Sequence, residues 1–222
     1  MSYGIRLHVS GPRALFTRPE LKVERVSYDV MTPSAARGML EAIHWKPAIR
    51  WVIDRIHVLK PIRFQSLRRN EVSDKASASL AKSAMKRGDL DGLGIVVEDA
   101  RQQRASLLLV DVAYVIEAHF EMTPRAGAED NAAKHYEMFT RRAERGQCFH
   151  QPALGTRECV ADFELVAPDA PLPSAIPLDQ DLGLMLWDID HGAPGKPSLF
   201  FRARLQQGVL HVPQPGSPEV LK

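Results

Sequence analysis

Lys134 and His135 stand side by side in Ala133-Lys134-His135-Tyr136, at the start of a segment that also carries Arg141, Arg142 and Arg145. An imidazole exchanges a proton near neutral pH, and an ammonium is a fixed point charge. Backed by arginines, the pair suits work on a phosphodiester: one group moves a proton and the others offset negative charge. A solvated helix face with a chance histidine has the same spacing. A second segment, Ile43-His44-Trp45-Lys46-Pro47, again sets an imidazole beside a cation and adds an indole.

Other chemistries find less support. The eight histidines include no H-x-x-x-H pair, and there is no C-x-x-C, so the usual zinc spacings are missing. No G-x-x-x-x-G-K-[ST] loop and no G-x-S-x-G elbow occurs. Asp179-Gln180-Asp181 and Asp188-Ile189-Asp190 read as solvated turns or strand edges rather than a magnesium site. No cofactor is expected.

Composition sets the frame. The chain has 222 residues, 45% hydrophobic and 25% charged, which is enough apolar material for a core. A net charge of +2 does not by itself announce nucleic-acid binding, so any basic surface must be local. No apolar run approaches the roughly 20 residues that cross a bilayer, and Met1 to Leu7 lacks a signal-peptide core. Cys148 and Cys159, without a framework, fit free thiols in a reducing cytoplasm.

The elements that must position these residues can be read in order. Ile5 to Ser10 predicts a strand stopped by Gly11-Pro12. Thr32 caps a helix that opens on Pro33, and Ala36, Met39, Leu40 and Ile43 form its apolar stripe up to Pro47. Trp51 to Leu59 predicts a strand, with Ile62 to Gln65 its expected continuation on an edge. Residues 66–105 change character and read as a mobile insertion with a short helix or hairpin. Val112 to Glu121 alternates as a half-buried strand. Asp130 or Asn131 can cap a helix from about Ala132 to Arg145, ended by Gly146. Cys159 to Val166 predicts the next strand.

Strand, helix, strand, insertion, strand, helix, strand is the ferredoxin-like order, an α+β fold with a four-stranded antiparallel sheet and two helices on one face. This domain is expected over 1–166. From Ala167 the chain turns proline-rich, with nine of its 16 prolines between Pro168 and Pro218. Leu182 to Ile189, Ser198 to Gln206 and Gly208 to Val212 predict a small three-stranded sheet, a second domain over 167–222.

Several segments, taken together and in order, resemble a known family. They are Gly11-Pro12-Arg13-Ala14-Leu15-Phe16-Thr17-Arg18-Pro19, Val26-Ser27-Tyr28, Ile43-His44-Trp45-Lys46-Pro47, Lys60-Pro61-Ile62, Lys134-His135-Tyr136 and Leu154-Gly155-Thr156-Arg157-Glu158-Cys159. The chain is identified by them as similar to the CRISPR-associated Cas-five family, subtype I-C (Dvulg), within the repeat-associated RAMP superfamily. The resemblance implies an endoribonuclease that cuts precursor CRISPR RNA inside each repeat. It implies attack by the substrate's own 2′-hydroxyl without a metal, leaving a 2′,3′-cyclic phosphate and a 5′-hydroxyl. It also implies recognition of the repeat stem-loop and retention on the guide RNA, with a backbone subunit and a large subunit of the type I-C interference complex as partners.

The family's catalytic set is a tyrosine, a lysine and a histidine. The last two fall on Lys134 and His135, and the surrounding Ile-x-Trp-Lys-Pro places the tyrosine position at His44, a departure. His44 and His135 are thus expected to flank one phosphate as base and acid, with Lys134 stabilising the transition state. As an alternative, His44 serves only the last turn of its helix. Trp45, Lys46, Tyr136, Arg141, Arg145 and Arg157 are the expected RNA contacts. Two other readings stay open: a guide-RNA-binding subunit that does not cut, and a nuclease or binder of duplex DNA.

Overall fold

A computed structural model describes residues 4–222, so the reading of Met1 to Tyr3 lies outside the described residues. The chain divides into two compact units, 1–65 with 107–222, and 66–106. Residues 167–222, expected as a separate domain, belong to the first of these. The expected insertion coincides with the second.

In the first unit, strand β1 is Ile5–Ala14, with Ile5, Leu7 and Val9 buried. It was expected to stop at Gly11-Pro12. Instead Gly11 pairs with Val112 and Arg13 with Val110. The strand on its other side reaches only Ser10, so the missing N–H of Pro12 breaks no bond there. Strand β2 is the short Arg25–Val26.

Helix α1 is Pro33–Ile43, and the local chemistry explains it. Thr32 Oγ1 accepts from Ala35 N at 3.3 Å, Pro33 opens the first turn, and Ala36, Met39, Leu40 and Ile43 are buried along one stripe. His44 ends the helix in extended backbone, its N–H still donating to Leu40 O. Strand β3, Ile49–Val58, follows directly.

Strand β4 is Phe64–Val72, and it pairs with β5, Arg101–Met122. Between them, in the second unit, lie helix α2, Ala78–Arg87, capped by Ser77 and ended by a left-handed Gly88, and the single turn α3, Val97–Ala100. Strand β5 is 22 residues long, more than twice the stretch that alternation marked. Its middle is interrupted at Asp111, where φ is +52° and the carboxylate holds Lys60 and Arg63 at 2.6 Å each.

Helix α4, Ala132–Glu144, begins at Asn131, whose Oδ1 accepts from Lys134 N at 2.9 Å. It buries His135, Phe139 and Ala143. Strand β6, Asp162–Leu165, is shorter than expected, and β7, Gln180–Ile189, β8, Ser198–Gln206, and β9, Val209–His211, complete the set. Gln207 and Gly208 join β8 to β9 with φ of +50° and +73°, the two positive angles that a tight hairpin turn requires. A Cβ on Gly208 would lie 2.2 Å from Ile176 O, so only glycine fits.

The strands form one sheet in the order β6-β1-β5-β3-β9-β8-β7, with β2 and β4 pairing β5 off this path. Every register along the path is antiparallel. The C-terminal strands therefore extend the main sheet through β9 on β3, with Arg55 opposite His211 and His57 opposite Val209. Backbone pairing, which sequence periodicity does not encode, merges the two expected domains. The fold is α+β, a large antiparallel sheet with few helices. Among the described residues, no helix is long and apolar enough to cross a membrane.

Candidate functional site

Two histidines separated by 91 residues meet. His44 Nε2 lies 3.1 Å from His135 Nδ1, and both residues are buried, at 0% and 1% exposure. The sequence folds this way locally because α1 ends at His44 and α4 begins three residues before His135. Each imidazole thus projects from a helix end. Beneath them, Trp51 on β3 donates its indole N–H to His44 O at 2.9 Å and packs against Phe139 with ring centroids 4.9 Å apart. Phe120 on β5 meets His135 edge to face at 6.4 Å. The floor of the pair is aromatic core.

The flanks are charged. Arg142 Nη1 donates to Ile43 O at 2.9 Å and lies 3.5 Å from His44 Nδ1. Beyond His135, its Nε2 lies 3.3 Å from Asp130 Oδ1, which also lies 3.5 Å from Lys134 Nζ. A guanidinium can only donate, so the nitrogen of His44 that faces Arg142 is its lone-pair nitrogen. Neutral His44 then carries its proton on Nε2 and donates to His135 Nδ1. That leaves the proton of a neutral His135 on Nε2, facing Asp130. Burial, with the charges of Arg142, His135 and Lys46, lowers the pKa of His44 to about 4. A proton there would sit unsolvated among cations.

This arrangement corrects one expectation. A phosphate cannot lie between His44 and His135, because their nitrogens already touch and no solvent reaches them. Proximity holds, but the free edge of the pair is His135 Nε2 alone. Lys134 does not face the imidazoles. Its side chain is about half exposed, and Nζ donates to Glu129 O at 3.1 Å.

The other expected residues divide into separate places. Trp45, 54% exposed, borders a groove of about 860 Å³ together with Phe149, His150 and Arg157. Phe149 is 78% exposed, and its ring stands 4.5 Å from that of His150. Arg157 is exposed beyond Gly155, whose φ is +93° and whose absent Cβ would lie 2.1 Å from Leu15 O. Glycine is thus required where this turn crosses the chain after β1. Lys46 is exposed next to Trp45. Lys134, Tyr136, Met138 and Arg141 line a shallow depression on α4. Arg145 is the exposed C-cap of that helix, outside the depression. Both cysteines are free.

A model of the CRISPR-associated protein family Cas_Cas5, Cas5d type, matches residues 4–213. A curated relative named CRISPR pre-crRNA endoribonuclease Cas5d, from Mannheimia succiniciproducens, is 58% identical over 96% of this chain and 96% of its own. The chain belongs to the Cas5d family. A second relative of the same name, from Thermus thermophilus, is 44% identical over 94% of this chain and 91% of its own. The fold is likewise similar to a solved structure titled as a CRISPR-associated protein. The TM-score is 0.71 at 23% identity, over 100% of this chain and 97% of that one.

Two members of the charged cluster in this Cas5d family protein carry no site signal in the sequence reading. Asp130 reads only as a possible helix cap, although it stands four residues before Lys134 and five before His135. Arg142 reads as part of a basic cluster. It lies seven residues after His135, on the same helical face, and that spacing could have marked it as a partner of the inward side.

Proposed function

We propose that this chain is the pre-crRNA endoribonuclease of a type I-C system. It cuts precursor CRISPR RNA within repeats by metal-independent attack of the 2′-hydroxyl, leaving a 2′,3′-cyclic phosphate and a 5′-hydroxyl. It then stays on the guide RNA beside the backbone and large subunits of the interference complex. The observation that carries this reading is the 58% identity, over nearly the whole chain, to a relative named as such a nuclease. The strand order β6-β1-β5-β3, antiparallel throughout, supports a ferredoxin-like core. In that core α1 follows β1 and α4 precedes β6.

His135 Nε2–H donates toward the 5′-oxygen that leaves as the P–O bond breaks, and solvent water takes the proton of the attacking 2′-hydroxyl. His44 holds the His135 tautomer from behind, and Lys134 supplies positive charge to the phosphate. With its pKa near 4, His44 is too weak a base to take the 2′-hydroxyl proton itself, so its role is positioning. Trp45 and Arg157, in one groove with Phe149, suit a single-stranded segment, with the rings stacking on bases and the guanidinium on phosphate. Arg141 and Arg145 add charge along α4. Cognate repeat RNA incubated in EDTA should be cut, with a cyclic phosphate at the new 3′ end. A deoxyribose just upstream of the scissile bond should abolish cutting and spare binding. Fast cutting of the deoxy substrate would sink the mechanism and favour the reading of a DNA-directed enzyme.

The burial of both histidines favours a second reading, a subunit that binds guide RNA without cutting it. Absence of any cyclic-phosphate product with the cognate repeat would select it.

A further inference from the structure

We propose that Lys134 Nζ and His135 Nε2 form a single-anion subsite for a phosphate of the RNA, and that Asp130 closes it in the free protein by placing its own carboxylate there. The inference rests on the nuclease reading and adds a residue that the reading does not use.

Asp130 Oδ1 bridges the two nitrogens, 3.3 Å from His135 Nε2 and 3.5 Å from Lys134 Nζ. A phosphodiester oxygen would seek the same pair, an ammonium beside a ring N–H. The carboxylate is near His135 without satisfying it. His135 Nε2 is buried and has no hydrogen-bond partner, because Asp130 approaches off the line of the N–H. The turn explains the misalignment. Asp130 Oδ2 accepts from Gly127 N at 3.1 Å, which fixes the carboxylate to its own loop rather than to the imidazole. That backbone bond, with the charges of Lys134 and His135, holds Asp130 below the usual carboxylate range, so it is an anion at neutral pH.

The remaining neighbours of His135 cannot fill the place. His44, with Arg142 behind it, occupies Nδ1, and Phe120 offers only its ring. The carboxylate beside this buried ring nitrogen is itself partly exposed. An RNA phosphate arriving at Lys134 meets this carboxylate as a competitor and displaces it outward with the 127–130 turn. The energy of displacement is small, because the Lys134–Asp130 contact is a surface ion pair.

The test is Asp130→Asn, which removes the charge and keeps an oxygen for Gly127 N. Asp130→Ser does the same should the first variant fold poorly. Cleavage of the cognate repeat should gain about two- to fivefold in kcat/KM, with the gain in KM rather than kcat. Inorganic phosphate titrated into the RNA-free protein, followed by the His135 imidazole resonances, should bind more tightly by a similar factor. A fall in kcat with an altered pH profile would overturn the proposal and make Asp130 an orienting partner of His135. Unchanged kcat/KM and unchanged phosphate affinity would overturn it as well. A wild-type protein that cuts nothing would defeat the nuclease reading, while the phosphate titration would still decide the subsite.

Discussion

Two histidines of this protein sit in opposite surroundings. His44, between α1 and α4, has only cations and another imidazole near it. His57 on β3 lies 3.6 Å from Glu117 Oε1, and that carboxylate also draws Arg6 at 3.5 Å and Arg55 at 3.4 Å. Burial lowers both pKa values. At His44 the neighbours push the same way, whereas at His57 the carboxylate pulls back. The sign of the neighbours separates the two. The His57 cluster ties β1, β3 and β5 together. The His44 cluster ends at His135 Nε2, beside a lysine that reaches water. One group of polar residues holds the sheet, and the other has a chemical edge.

The largest expected effect would break this contrast if it failed. His135→Ala should lower repeat cleavage by about 10²- to 10⁴-fold, the range for a lost proton-transfer group. His57→Gln should leave the rate nearly intact. Equal losses at both positions, measured in single-turnover assays on folded protein, would make the distinction meaningless. His44→Tyr puts a different hydrogen-bonding ring at the position and should keep cleavage if no more than such a ring is needed there.

Acid stability sharpens the comparison next. His44 titrates near 4 when folded and near 6.5 when unfolded, so between those values the unfolded chain binds the extra proton. Stability is fully present above about pH 6.5 and declines as pH falls towards 4, by roughly 3 kcal/mol at most. Denaturant titrations across that window should show the slope, and His44→Gln should flatten it. His57→Gln should change it less, because Glu117 offsets part of the burial effect. A steeper slope in the His44 variant would refute the neutral assignment.

Smaller effects are expected at the flanks. Arg142→Ala strips the Ile43 carbonyl of a donor and should cost about 1–3 kcal/mol in urea unfolding. It should also raise the pH at which His44 protonates, seen by imidazole NMR. Arg141→Glu with Arg145→Glu, on the exposed face of α4, should weaken repeat binding and reduce the slope of log affinity against log salt by about 0.7 per lost contact. An unchanged slope would place the RNA elsewhere.

Much of the fold is legible in local signals. Thr32-Pro33 and the Ala36, Met39, Leu40, Ile43 stripe mark α1, and Asn131 and Gly146 bracket α4, because caps and helical period act over a few residues. Other features act at a distance and left no such mark. Nothing in Gly11-Pro12 tells that β1 continues, since its tolerance depends on how far β6 extends beside it. The long β5 is hidden because its first residues, Arg101 to Arg104, are polar and show no apolar alternation.

The sequence by itself determined which groups can do chemistry here: an imidazole and an ammonium at one helix start, an imidazole at another helix end, and arginines around them. Only the tertiary structure decided how they are used. It pressed His44 against His135 so that no phosphate fits between them and brought Arg142 to the back of the pair. It set Asp130 across the front and joined the last strands to β3. Each outcome depends on contacts between segments far apart in the chain, and burial and neighbouring charge then set protonation and access.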